Sequence, residues 1–115
     1  MEIDSINSGD FIDIVGIIRN IGEVENIKDD TFVKREVTLK DDLKNELTIV
    51  LWNKNAKSFN GNVNDVMSIK AGKVVEYKGI KKVSVLSITI LKFNDKSIPE
   101  VKRLLKEMIA AKEED

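Results

Sequence analysis

Between Glu46 and Trp52 the chain alternates without a break, and this period of two dictates a strand. Successive side chains of a strand point to opposite faces, so Leu47, Ile49 and Leu51 fall on one side and Glu46, Thr48, Val50 and Trp52 on the other. The apolar side must be buried. The sole Trp is thereby assigned to the polar, wetter face. The sole Tyr, Tyr77, ends a second such stretch, Lys73-Val74-Val75-Glu76-Tyr77-Lys78-Gly79, with lysines on either side. Exposed rings interleaved with cations suit stacking on bases while the cations hold phosphates.

The same period recurs along the chain. Residues 1–9 form a short lead-in, with a turn signal at Asn7-Ser8-Gly9. Phe11 to Ile21 predicts one long coiled strand, bent at Gly16. Glu23 to Thr31 is polar and acidic and reads as a loop. Lys34 to Lys40 alternates, with Val37 and Leu39 inward; Asp41 to Asn45 turns the chain into the Glu46–Trp52 partner strand. Asn53 to Phe59 predicts a short helix burying Ala56 and Phe59, broken by Asn60-Gly61-Asn62. Asp65 to Tyr77 is a fourth strand bent near Ala71-Gly72. A turn at Lys78-Gly79-Ile80-Lys81 leads to a fifth strand, Lys82 to Phe93. Phe59 and Phe93 read as core, while Phe11 and Phe32 are not assigned to either side.

After Asn94 the period changes. Ser97-Ile98-Pro99-Glu100 matches a capping box with proline in the first turn. Ile98, Val101, Leu104, Leu105, Met108 and Ile109 then recur at helical spacing. Lys112-Glu113-Glu114-Asp115 reads as a solvated tail. Five strands must close or be covered to hide their edges. The economical solution is an all-β five-stranded Greek-key barrel, the OB-fold, with a short helix between strands three and four and a C-terminal α-helix. The expected organisation is lead-in 1–9, barrel 10–94, and amphipathic helix with acidic tail 95–115.

At 115 residues, 42% hydrophobic and 34% charged, the chain suits one globular domain. It has neither Cys nor His, which removes disulfides, thiol chemistry and the usual zinc ligands. No cofactor and no metal are expected. The acidic N-terminus carries no signal-peptide pattern and no apolar stretch is long enough to span a bilayer, so the expectation is an intracellular protein away from membranes. The net charge of −1 hides a strong asymmetry. Residues 1–30 set eight carboxylates against Arg19 and Lys28; residues 69–94 set six lysines against Glu76 alone. A local field of this kind steers a polyanion. The plainer reading is that these lysines solubilise a hairpin and blunt its edge.

In order and spacing, several runs resemble the single-stranded-DNA-binding OB domains of replication protein A. They are Asp13-Ile14-Val15-Gly16-Ile17-Ile18, Lys34 to Asp42, Leu47 to Trp52, Ala56-Lys57-Ser58-Phe59, Ile69 to Val74, Tyr77-Lys78-Gly79 and Val83 to Ser87. Together they cover roughly residues 10–93, with the second of the tandem domains on the large subunit as the nearest match, as in an archaeal or single-domain relative. The resemblance implies binding of single-stranded DNA with little sequence preference, in replication, repair and recombination. It places stacking at Trp52 and Tyr77, expected side by side in an open basic trough on the barrel wall, and backbone contacts at Lys34 and Lys73, with Arg35 beside Lys34 and with Lys81 and Lys82 as helpers. Val50 stands where the family carries a small polar contact, so a hydroxyl bond is replaced by apolar contact. The acidic loop Glu23, Glu25, Asp29, Asp30 is a second departure, unfavourable beside phosphate. The resemblance further implies other replication protein subunits as partners through the terminal helix. Its location would be cytoplasm or nucleoid in an archaeon, nucleus in a eukaryote.

Each feature has a plainer counterpart. Trp52 can pack at the edge of the core on Phe59, and Tyr77 can pack across its own sheet beside Val75. The terminal helix can lie on its own barrel or serve as a partner surface, and the whole can be an OB-fold interaction module whose basic hairpin docks an acidic protein. Enzymatic activity has little support: no His or Cys base or nucleophile, no phosphate loop, and carboxylate pairs Asp29-Asp30 and Asp41-Asp42 that sit in turns.

Overall fold

The computed structural model describes residues 3–27, 31–41 and 45–114, apart from the side chains of Asp4 and of residues 109–114. A single turn of 3-10 helix, Ile3–Ser5, precedes β1 (Phe11–Ile21), β2 (Glu25–Ile27), β3 (Phe32–Lys40), β4 (Glu46–Trp52), α1 (Asn53–Ser58), β5 (Val66–Tyr77), β6 (Ile80–Ser84), β7 (Ile90–Phe93) and α2 (Pro99–Glu114). Five strands close a ring in the order β1-β3-β4-β6-β5 and back to β1. This is the expected Greek-key barrel, with α1 between its third and fourth strands.

Closure depends on β1 serving two neighbours. Phe11 to Ile17 pair with β5, and Ile17 to Ile21 pair with β3. At the crossover Gly16 is pressed against β3: a Cβ there would stand 3.1 Å from the Leu39 Cβ. β5 turns its corner at Ala71, whose φ of 61° is stabilised by Asp13 Oδ1 accepting from its amide at 2.9 Å. The inner faces of the strands fill the barrel with Ile18, Val37, Leu39, Leu47, Ile49, Leu51, Met67, Ile69 and Val83, all almost wholly buried. Ala56 of α1 plugs one end; Phe59 packs against the core and meets Phe93 edge-on, ring centroids 5.7 Å apart.

Four sequence expectations change. The acidic segment after β1 is not all loop: Glu25–Ile27 forms β2 against β3, where Glu25 faces Lys34 across the pair. The turn within Asp42–Lys44 and the carboxylates Asp29 and Asp30 lie outside the described residues. The fifth strand is two. β6 pairs with Lys73–Tyr77 of β5 and β7 with Met67–Lys70, and the break follows the corner in β5. Thr89 holds that break, its hydroxyl donating to the Ala71 carbonyl at 2.7 Å and accepting from the Leu86 amide at 2.9 Å. The start of α2 is held by Asp95, which accepts from both the amide and the hydroxyl of Ser97, so Ser97 is drawn back from a simple capping box. Finally, α2 runs to Glu114 through most of the supposed tail.

The lead-in is bound to the barrel. The Gly9 amide donates to the Val74 carbonyl and the Val74 amide to the Asp10 carbonyl, while Ile3 packs on the core. α2 buries Val101 and Leu104 against Val66 on the outside of the barrel, with Val15, Ile17, Ile98, Leu105 and Met108 around them. Of the two readings of the apolar stripe, these residues follow the one in which the helix packs on its own barrel.

Candidate nucleic-acid interface

The outer face of β3, β4, β6 and the second half of β5 carries the candidate residues. Partners across a ladder share a face, so register fixes who stands beside whom. Glu36 faces Val50, Val50 faces Ser84, and Ser84 faces Lys73, giving a straight row across four strands. One step along the sheet, Lys34 faces Trp52. In the other direction Lys82 faces Val75, then Ile80 faces Tyr77.

Trp52 is half-buried on this face, and its indole N–H donates to the Ser84 hydroxyl at 3.1 Å. That bond leans the ring over β6. Tyr77 is 74% exposed at the hairpin tip, beside Ile80 at 61%. The hairpin turns on two residues with positive φ, Lys78 at 52° and Gly79 at 80°, the geometry of a tight turn between twisted strands. Lys78 places its ammonium 5.4 Å from the Tyr77 ring centroid. The two rings share a face but are not side by side. Trp52 lies two residues beyond the common row and Tyr77 four residues beyond it the other way, a separation of about 20 Å along the strands.

The cations divide. Lys34, Lys73 and Lys82 belong to the face. Arg35 does not: it has the parity of Val37, its Nε donates to the Gly22 carbonyl at 2.8 Å, and its guanidinium lies 5.8 Å from the Phe59 ring. Lys81 is engaged elsewhere, its ammonium donating to the Ile6 carbonyl at 2.6 Å and tying the lead-in to the hairpin. Val50 points outward yet is only 4% exposed. Beside it Lys82 bonds Glu36 at 2.5 Å, and Lys34 lies 3.8 Å from the same carboxylate oxygen.

Sequence reasoning missed three members of the face. Phe32 is 40% exposed and shares the parity of Lys34; Phe11 is 51% exposed and faces Lys73 across the β1–β5 ladder. Alternation alone gives both away, since their neighbours Val33 and Ile12 turn inward. Ser84 gave no signal, because its partner lies 32 residues away on a strand it meets only in the closed barrel.

A cleft of about 630 Å³ lies elsewhere, beside α2, where Asp13, Asp41 and Glu100 mix with Lys70, Lys92 and Arg103. Among the described residues no group of three or more acidic side chains could hold a metal ion, and no helix is long and apolar enough to cross a membrane.

A family model described as the replication protein A OB domain matches residues 1–94, the whole barrel with its lead-in. The chain belongs to this family. Among curated relatives, the replication protein A 70 kDa DNA-binding subunit of Drosophila melanogaster is 32% identical over 97 residues, covering 81% of this chain and 16% of that protein. The Xenopus laevis subunit of the same name is 29% identical over 107 residues, covering 90% of this chain and 17% of its own. The chain thus spans about one sixth of these relatives' length. Among solved structures, a replication protein A heterotrimer bound to ssDNA superposes with a TM-score of 0.78 at 27% identity, over 91% of this chain and 26% of that one. The second OB-fold domain of replication protein A from Methanococcus maripaludis superposes with a TM-score of 0.62 at 21% identity, over 85% of this chain and 97% of that domain, and shares the fold.

Proposed function

We propose that this replication protein A-type domain binds single-stranded DNA by equilibrium contacts, with little sequence preference and no covalent step, in replication, repair or recombination. The observation that carries this reading is the single outer face on which Trp52 and Tyr77 stand at opposite ends and Lys34, Lys73 and Lys82 between and beside them. Rings supply stacking surfaces that accept any base, and the ammonium groups supply phosphate contacts. The separation of the rings means that they stack on different nucleotides of the strand, with Lys73 and Lys82 along the path between. Phe32 and Phe11 extend the apolar contact at the margins. Arg35 and Lys81 act on the fold and on the lead-in, and the strand is held without them. A single domain of this kind covers about four nucleotides and binds weakly, so tight binding needs several domains on one strand. Other subunits of a replication complex would supply them, meeting α2 on surface its own barrel leaves uncovered.

The test is titration of the chain with oligothymidylate of about twenty nucleotides at low salt while Trp52 fluorescence is read. Quenching that weakens as salt rises supports the reading. Unchanged fluorescence and no strand bound would overturn it and favour an OB-fold module that docks an acidic protein on the same lysines.

A further inference from the structure

Glu36 occupies the middle of the cationic face. Its carboxylate accepts from Lys82 at 2.5 Å and lies 3.8 Å from the Lys34 ammonium, so one acidic group engages both Lys34 and Lys82. To reach it, Lys82 stretches from β6 over β4 to β3. Val50 stands on β4 between the two strands, 4% exposed on the outside of the sheet. These side chains are only partly shielded, at 24% to 34% exposure, so water and ligand reach them. A carboxylate so placed holds the lysines as a phosphate would.

We propose that Glu36 is an internal competitor of the nucleic-acid phosphate: the Lys34–Glu36–Lys82 strap covers the floor of the binding face and opens when a strand binds. The inference rests on the strand-binding reading and adds a residue that sets its strength. In the free chain the strap keeps Lys34 and Lys82 oriented along the face and keeps Val50 dry. On binding, phosphate takes over the two ammonium groups, Glu36 is released to solvent, and Val50 becomes available to a base. Opening an ion pair is aided by salt while phosphate binding is opposed by it. The native chain should therefore show a shallower salt dependence than its cations would give unopposed.

The experiment compares the native chain, Glu36→Gln and Glu107→Gln in the same oligothymidylate titration across a range of salt. Glu107 is exposed on α2 and controls for loss of one negative charge. Glu36→Gln is expected to bind about three- to fivefold tighter at low salt, the scale of one exposed ion pair, with a salt slope steeper by up to ~1.4 for two added phosphates. Glu107→Gln should change affinity by less than about twofold. Equal affinity and slope for the two variants would remove the competitor role and leave strand binding intact. Binding by no chain at any salt would fell both. A thermal melt of Glu36→Gln close to native excludes a folding defect as the source of any weakening.

Discussion

Trp52 and Tyr77 illustrate how one residue type reads differently by place. The indole is half-buried and hydrogen-bonded to Ser84, so truncation removes packing as well as stacking. The phenol at 74% exposure supports little of the fold. Trp52→Ala and Tyr77→Ala are each expected to weaken oligothymidylate binding by about 1–3 kcal/mol. In urea titrations Tyr77→Ala should stay within about 0.5 kcal/mol of the native stability, whereas Trp52→Ala should fall measurably below it. Alternation alone placed Trp52 on the outer face, because parity is a local property; the distance from Trp52 to Tyr77 was not legible, because it depends on how the strands align in the closed barrel. Parity also separates Arg35 from Lys34, a distinction the family resemblance passed over. The Trp52–Ser84 bond and the burial of Val50 were not legible. Both depend on β4 lying beside β6, and no local pattern encodes that.

At the scale of elements, regular strands were legible and their interruptions were not. β1, β4 and the corner of β5 follow from alternation and from Gly16 and Ala71-Gly72. β2 was hidden because a short edge strand is held by its neighbour and carries polar side chains on both faces. The division between β6 and β7 was hidden because Thr89, an ordinary strand residue by propensity, is diverted to satisfy the Leu86 amide and the Ala71 carbonyl. Thr89→Val keeps the shape and removes both bonds; it is expected to lower stability by about 1–3 kcal/mol in chemical denaturation. Asp95 makes a pH-dependent contribution. Hydrogen bonds from the Ser97 hydroxyl and amide, aided by Lys92 at 3.6 Å, hold its carboxyl below the ordinary value of 3.8. A lowered folded-state pKa means that its support for the start of α2 is complete above that value and is lost as the pH falls through the folded one. The Ser97 amide resonance should shift through this acidic window in the native chain and not in Asp95→Asn.

For the whole molecule, charge is distributed in a way the total conceals. Lys34, Lys73 and Lys82 face outward on one side while the Lys81 ammonium is bonded to the lead-in and the Arg35 guanidinium to the Gly22 carbonyl. If three or four phosphates are neutralised, log K should fall against log salt with a slope of about −2 to −3 once Glu36 no longer competes, and less steeply in the native chain; calorimetric or fluorescence titrations across salt would measure both. The family and the closed barrel were legible because many weak local signals agreed in order along the chain. The joint that completes the ring is another matter. β4 and β6 meet in parallel over two ladder positions, Ile49 with Val83 and Val50 with Ser84, backed by the Val85 amide donating to the Val50 carbonyl. This short seam lies beneath the face where a strand would be held, with Trp52 on one side of it and Tyr77 on the other. A polymer gripping both would act as a suture across the weakest join of the cylinder, so occupancy and resistance to opening would rise together.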